Sequence, residues 1–554
     1  MEEKVRQHAH RYAVKNAFLH SGKADLGAVV GKVIALEKGL DFKKAMPIIK
    51  EEVDKVNAMG LEEIKAAYEK FEGSYELKPK EKVPGLEPLE WAEKGEKAIT
   101  RFAPNPNGPF HLGNARAAIL SHEYARKYNG RFYLRFDDTD PKVKKPIANA
   151  KEVFLHDLQW LGCKVDEVFF ASDRLEIYYE HMKKLIELGG AYVCSCESQK
   201  WREMTKEKKA CPHREVEPKE QKKLFEQMLS HQLKEGQAVL RVKTELDHAD
   251  PSIRDWWAAK IVDEVNHPNK NAQGKHVWPS YNFASAVDDH LLGTTLILRG
   301  QEHAQNQTKQ EFLYTYFGWV YPHAMHFGRV KLEGMVLSTS KIAKGIEEGL
   351  YTGWDDPRLG TIKALRRRGF DPRALKEAII EIGAKPNDAT IEMSKLSDLD
   401  KKFIESESRR AAFFEEPVKL DVIYAQESEV EKDGVQFSLA PGTQTFLVPK
   451  KELEPLKEGS VIRLRQAYNV LLRKKDEFTA IGEWAGAAKK DKNIINWVLN
   501  PMDVEVLDAK NQKVLGVTEE FNAKKGDRLC FDKFGYVIVE EAKNGKINCI
   551  FTHK

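Results

Sequence analysis

The chain has 554 residues, 42% of them apolar and 31% charged, a composition that buries large cores and excludes wholesale disorder. Its 89 Lys plus Arg against 85 Asp plus Glu leave a net charge of only +4, which excludes a polycationic coat, so any nucleic-acid footprint must come from local clustering. Six cysteines exclude a disulfide scaffold and fit a reducing compartment, and no apolar run approaches the ~18 residues of a membrane span.

The N-terminal stretch is charged from Glu2 and has no apolar signal core, so a cytoplasmic protein is expected. At about 150 residues per domain the length predicts three or four domains. Residues 1–90 read as helical: Leu26, Val29, Val30, Val33 and Ile34 share a helix face that Asp25 caps. Ile49, Val53 and Val56 form a second stripe, and Leu61, Ile64 and Tyr68 a third. Gly73 to Gly95, rich in Lys, Glu, Pro and Gly, reads as a linker.

From Ala98 to Phe102 a strand is predicted, then a Pro/Asn/Gly loop, a helix from about Asn114 to Tyr128, and a second strand at Phe132 to Phe136. That is a βαβ unit and implies a parallel sheet across residues 96–190. Asp173 to Leu188 is a further helix. Residues 191–279 form a polar insertion that carries the cysteine cluster. The α/β texture resumes over 280–345, with a strand at Leu296 to Arg299. After Pro417 come short alternating runs, including Thr443 to Val448, Val461 to Leu464, Val504 to Val506 and Tyr536 to Val539. Asn544-Gly545 is a hairpin signal, so residues 417–554 are predicted to form one or two small β-barrels.

Five clusters carry chemistry. The run Arg101-Phe102-Ala103-Pro104-Asn105-Pro106-Asn107-Gly108-Pro109-Phe110-His111-Leu112-Gly113-Asn114 leads from a strand through a loop into a helix. That helix N-terminus is an anion site, with His111 placed to donate to a phosphate oxygen; Gly113 lets a flat ring such as adenine lie against the backbone. Asp137-Asp138-Thr139-Asp140 stands at a strand's C-terminal edge, where open α/β sheets bind ligands. Tyr281, Asp288-Asp289 and Arg299-Gly300-Gln301-Glu302-His303 follow. Arg101 and Arg299 each offer the planar fork that binds a carboxylate. Val336-Leu337-Ser338-Thr339-Ser340-Lys341-Ile342 is a Ser/Thr-rich loop. Cys194, Cys196, Cys211 and His213 are two close pairs of soft ligands, either a tetrahedral structural zinc site or four reduced side chains in a loop.

The first and fourth runs resemble the "HIGH" and "KMSKS" signatures of class I aminoacyl-tRNA synthetases, and Arg101 to Gly108, the Asp137 motif and the Tyr281 to His303 segment resemble their glutamyl/glutaminyl branch. Nearly the whole chain is similar to the archaeal-type glutamyl-tRNA synthetases, as is Trp354-Asp355-Asp356-Pro357-Arg358-Leu359. The resemblance implies a multidomain α/β fold: an N-terminal helical domain, a Rossmann-like catalytic domain with an acceptor-binding insertion, a helical connector over 346–416, and a C-terminal β-barrel anticodon-binding region.

It further implies glutamate bound by Arg101, Ala103, Asn105, Asp137, Tyr281 and Arg299, with Asp137 meeting the α-ammonium. ATP would be bound by His111, Gly113, Asn114, Leu337, Ser338, Ser340 and Lys341. His111, Asn114 and Lys341 would be catalytic, with Lys341 or Lys344 neutralising the pyrophosphate. Three departures are visible: Asn114 replaces the family's second His, Thr339 stands at the usual catalytic Lys, and Asp137 is shorter than the more frequent Glu.

The implied partners are L-glutamate, ATP with Mg2+, and tRNA at its acceptor end and anticodon. A monomer and no membrane are implied as well. The glutaminyl enzymes carry a small uncharged residue where this chain has Arg299, which favours glutamate over the nearest alternative. Whether the glutamine tRNA is charged too stays open, as does which arginine takes which carboxylate. A small-molecule nucleotidyltransferase and an inactive tRNA-binding module are the alternatives of a different class. Basic runs at Lys206 to Lys209, Arg366-Arg367-Arg368, Arg409-Arg410 and Lys489 to Lys492 are candidates for tRNA phosphates, and Arg463, Arg465 and Tyr468 for unstacked bases.

Overall fold

The computed structural model describes residues 2–20, 22–36, 42–71, 85–487 and 493–554. Most of the expected linker, and the run Lys489 to Lys492, lie outside them. Contacts divide the chain into two units, Met1–Pro84 and Gly85–Lys554.

The first unit is four helices, α1 (Glu2–Leu19), α2 (Leu26–Leu36), α3 (Phe42–Asn57) and α4 (Leu61–Lys70). Asp25 Oδ1 accepts from the Ala28 amide at 2.7 Å, the cap anticipated for α2. Val29 and Val33 of α2, Ile49, Val53 and Val56 of α3, and Ile64 of α4 bury against Val5, Ala9, Tyr12 and Ala13 of α1. Leu61, counted in a stripe, is exposed.

The second unit opens with α5 (Glu90–Glu93), β1 (Thr100–Phe102), α6 (Leu112–Lys127), β2 (Phe132–Phe136), α7 (Ala150–Trp160), β3 (Glu167–Phe170) and α8 (Leu175–Glu187). It continues with β4 (Ala191–Cys194), α9 (Ser198–Lys206), α10 (Pro218–Leu229), β5 (Val239–Val242), β6 (Trp257–Ile261) and β7 (Val277–Pro279). Then come α11 (Tyr281–Leu291), β8 (Leu296–Gly300), α12 (Ala304–Phe317), β9 (His323–Phe327), β10 (Val330–Leu332) and α13 (Thr339–Glu347), followed by α14 (Ile362–Arg367), α15 (Pro372–Ile382), β11 (Ala389–Ile391) and α16 (Met393–Ile404).

The central sheet has the order β3-β2-β1-β8-β9 and is parallel throughout, as the βαβ pattern implied. Strands buried on both faces are largely apolar, and Phe132, Leu134, Phe136, Leu296 and Leu298 pack with Leu112, Ile119 and Leu120 of α6 into one core. Strand order runs outward in opposite directions from β1 and β8, so the crevice beyond their C-terminal ends is where such a sheet takes its ligand. Between the two halves of this sheet, β4-β5-β6-β7 form a separate antiparallel sheet.

A two-stranded hairpin, Ser428–Lys432 with Val435–Leu439, and two six-stranded sheets make up the C-terminal β region. One draws on Pro417–Ala425, Gly442–Pro449, Val461–Leu464, Tyr468–Lys475, Thr479–Ala487 and Ile494–Ile495. The other draws on Arg409–Ala411, Pro501–Leu507, Lys513–Glu519, Arg528–Phe531, Gly535–Lys543 and Lys546–His553. Each has its own apolar core.

Candidate active site

A cleft of about 540 Å³ opens at the C-terminal ends of β1 and β8. Arg101, Ala103, Asn105, Asp137, Tyr281 and Arg299, gathered from three strand ends and the first turn of α11, all line it. Trp257 and Lys260 of β6 reach it from the inserted sheet, and Lys144 and His303 also line it. Sequence reasoning did not single out these four. Only the folded chain brings β6 to the strand ends, although His303 closes a motif already of interest.

The two arginines of the cleft are held differently. Arg101 is 2% exposed, and its Nε and Nη2 donate to Asp289 Oδ1 and Oδ2 at 2.7 and 3.1 Å. One edge of its fork is therefore occupied by α11, which leaves the other N–H groups to face the cleft. Burial opposes the charge on Arg101, but Asp289 more than offsets it and holds the guanidinium above its ordinary pKa. Arg299 is 5% exposed and meets only neutral acceptors. Its Nε donates to His326 Nε2 at 3.2 Å, Nη1 to Gln310 Oε1 at 3.0 Å, and Nη2 to the Tyr321 hydroxyl at 2.8 Å. Among the described residues no carboxylate pairs with Arg299.

Asp137 sits between these walls. Arg135, fully buried, donates through Nε to Asp288 Oδ2 at 2.5 Å and through Nη1 to Asp137 Oδ1 at 3.2 Å. Asp288 also accepts from Arg174 Nε at 2.7 Å and from the Tyr178 hydroxyl at 2.5 Å. Burial pushes the Asp137 carboxyl up to about 6, against the pull of Arg135. Asn105 Nδ2 donates to the Asp137 carbonyl at 3.2 Å, leaving its buried Oδ1 without a partner.

His111 is the N-cap of α6, and its Nδ1 accepts from the Asn114 amide at 3.3 Å. That contact puts the ring proton on Nε2, and burial lowers the His111 pKa to about 4, so the ring is a neutral donor. A Cβ at Gly113 would lie 3.0 Å from the His111 ring, so the missing side chain first makes room for that ring. A Cβ at Gly108 would lie 2.4 Å from Thr339 Cγ2: the two signature segments touch. The stretch after Trp354 joins them further. Gly360 accepts from the Leu112 amide at 3.0 Å and donates to the Val336 carbonyl at 3.0 Å, while Ile362 donates to Phe110 at 2.9 Å.

Thr339, at the family's usual lysine position, begins α13; Leu337 is half-buried, and Ser338 and Ser340 hydroxyls lie 3.3 Å apart. Lys344 faces Glu348 at 3.6 Å, whereas exposed Lys341 has no carboxylate partner among the described residues.

Cys194 ends β4, and Cys196, Cys211 and His213 converge on it; their four donor atoms lie within 4.8 Å of one another. Cys211 Sγ is 3.5 Å from both Cys194 and Cys196 Sγ, and His213 Nδ1 lies 3.4 and 3.2 Å from Cys196 and Cys211 Sγ. These edges approach the roughly 3.5–3.8 Å of a tetrahedron built on Zn–S and Zn–N bonds of about 2.3 and 2.1 Å. Ser195 Oγ meets His213 Nε2 at 2.9 Å, the outer contact that orients a ligating imidazole.

The basic runs divide. Arg366 pairs with Asp157 at 2.8 Å and Arg367 with Glu540 at 2.7 Å, while buried Arg368 donates to the Phe551 and Thr552 carbonyls, so this run serves internal packing. Arg410 lies 3.4 Å from Glu405, Arg409 lies over the Phe521 ring, and Lys209 pairs with Glu207 at 2.8 Å. Arg465 is pinned by Asp532 at 2.6 Å and Asp433 at 3.0 Å, and Tyr468 is buried, so neither presents the free plane expected for base stacking. Arg463 is half-buried. No helix among the described residues is long and apolar enough to cross a membrane.

Residues 97–406 match the family described as tRNA synthetases class I (E and Q), catalytic domain. The glutamate–tRNA ligase of Thermococcus kodakarensis is 44% identical over 577 aligned residues, covering 100% of both chains. That of Pyrococcus abyssi is 45% identical over 578, covering 99% of this chain and 100% of the relative. A crystal structure of a glutamate tRNA ligase from Elizabethkingia meningosepticum in complex with its amino acid has a TM-score of 0.42 at 20% identity, covering 57% of this chain and 71% of that one.

Proposed function

The chain belongs to the class I tRNA synthetases of the E and Q type, among the glutamate–tRNA ligases, and from that premise we propose how its residues divide the ATP-dependent attachment of glutamate to tRNA. The observation that carries the reading is the Arg299 guanidinium: buried, facing the cleft, and paired with no carboxylate among the described residues. An uncompensated buried cation asks for an anion, and a neutral glutamine side chain would leave it unpaired. Arg299 therefore takes the side-chain carboxylate of glutamate. Asp137 takes the α-ammonium, and Tyr281, Asn105, Ala103 and the remaining N–H groups of Arg101 fix the α-carboxylate.

With the substrate so held, an α-carboxylate oxygen attacks the α-phosphorus of ATP, and the bond to the bridging oxygen of pyrophosphate breaks. The terminal ribose hydroxyl of tRNA then attacks the carbonyl carbon of the adenylate, and AMP leaves. No protein nucleophile is needed; alignment and charge stabilisation do the chemistry. His111 donates Nε2–H to a phosphate oxygen at the N-terminus of α6, beside Gly113 and Asn114. Lys341, with Ser338, Ser340 and Leu337, meets the departing pyrophosphate, and Mg2+ accompanying the phosphates supplies further neutralisation.

ATP–pyrophosphate exchange with tRNA present tests the reading. Exchange should run with glutamate and far more slowly with glutamine. Exchange with glutamine alone would move the assignment to a glutaminyl enzyme, and none with either would sink it. The 191–279 segment is proposed to meet the tRNA acceptor end and residues 417–554 the anticodon, with the chain acting as a monomer. Cys194, Cys196, Cys211 and His213 are proposed to hold a structural zinc, with all four positions filled by protein. Elemental analysis of purified protein should find one zinc per chain; a metal-free, equally stable protein would make them plain thiols.

A further inference from the structure

Arg101 and Arg135 are matched to aspartates, but Arg299 is held by three neutral side chains. His326 is its direct neighbour in register on β9, Gln310 stands on α12, and Tyr321 lies between α12 and β9. Gln310 is the centre of this cradle. It is fully buried, and its Oε1 accepts from Arg299 Nη1 at 3.0 Å and from the Tyr321 hydroxyl at 2.7 Å. Because Tyr321 spends its proton on Gln310, its oxygen is turned to accept from Arg299. His326 accepts at Nε2, so its own proton sits on Nδ1. Each of these three partners accepts from the guanidinium without contributing charge.

We propose that Gln310 is a specificity-determining residue that never touches the substrate: its neutral amide keeps Arg299 uncompensated, and Tyr321 and His326 are positioning residues for the same purpose. The inference rests on the reading of Arg299 as the contact for glutamate's side chain. A glutamate at 310 would have nearly the shape of glutamine and keep both hydrogen bonds at Oε1, losing only the 3.5 Å donation from Nε2 to the Asn282 carbonyl. It would also place a carboxylate where Oε1 now accepts from the guanidinium. The cleft would then hold a closed ion pair. A substrate carboxylate would find its partner neutralised and a like charge behind it, whereas an amide would lose little.

The test compares Gln310→Glu with Gln310→Met in the full chain, by tRNA-dependent pyrophosphate exchange with glutamate and glutamine side by side. Gln310→Glu should raise the glutamate KM roughly tenfold or more, with kcat and the ATP KM little changed, and shift the glutamate-to-glutamine preference toward glutamine. Gln310→Met, which removes the acceptor without adding charge, should cost some activity and leave that preference in place. Equal losses in both variants with an unchanged preference would make Gln310 merely structural and overturn the proposal. Should Gln310→Glu fail to fold, Tyr321→Phe decides: a raised glutamate KM at constant kcat supports the cradle, and unchanged parameters overturn it. If the unmodified chain activates glutamine instead of glutamate, the functional reading fails on its own, before any variant is compared.

Discussion

On the β1–β2 side of the cleft, Arg101 and Arg135 are locked to Asp289 and Asp288 of α11; on the β8 side, Arg299 is held by an imidazole, an amide and a phenol. The same residue type does opposite work. A paired arginine first fixes α11 against the strand ends, and only the N–H groups its aspartate leaves over can turn to a ligand. An unpaired one costs desolvation in the empty protein and returns it when an anion arrives. The difference predicts that changes on the first side are read mainly as stability and changes on the second mainly as substrate use.

The largest expected effect is on the paired side. Asp288→Asn leaves Arg135 and Arg174 without their shared carboxylate and disturbs Tyr178, so stability should fall by roughly 3–5 kcal/mol, the usual cost of an orphaned buried charge. A lowered melting temperature checks this. The comparison breaks if Asp288→Asn is silent in unfolding. On the other side, Arg299→Ala strands no counter-ion. It should be far milder in unfolding and lower kcat/KM for glutamate on the order of 10²–10³-fold, with ATP binding nearly unchanged. Equal losses for glutamate and ATP would mean that Arg299 supports the fold of the cleft and not one ligand in it.

This division of labour also marks how far the sequence could be read. The α/β class, the parallel sheet and the β region follow from local patterns such as Phe132 to Phe136 and Asn544-Gly545. Local spacing also brings Cys194 near Cys196, and Cys211 near His213. Asp288 and Asp289 were visible in a motif, but their partners lie 153 and 188 residues away in the chain, and no local period reports such a distance. The same holds for the cradle. Gln310 looks like any polar residue of an ordinary helix until β9 sets His326 beside Arg299. The arginine run at 366–368, legible as a charged surface, is consumed by Asp157, Glu540 and two backbone carbonyls that only tertiary packing supplies.

The smallest effect expected lies where the two sides meet. In its proposed role Asp137 has to be ionised to hold the α-ammonium, and burial places its carboxyl at about 6, far above an exposed aspartate. The carboxylate predominates above that value, and protonation removes the ion pair as the pH falls through it. Glutamate affinity should then drop about fourfold between pH 7.5 and pH 5.5, while glutamate's own side-chain carboxylate, with a pKa near 4.3, stays ionised. The glutamate KM measured across that range checks the sign. Because Arg135 already leans on Asp137 from the paired side, Asp137→Asn should weaken glutamate binding at neutral pH and flatten the profile. A profile that keeps its slope in Asp137→Asn would assign the titration to another group and leave Asp137 with the structural side of the cleft.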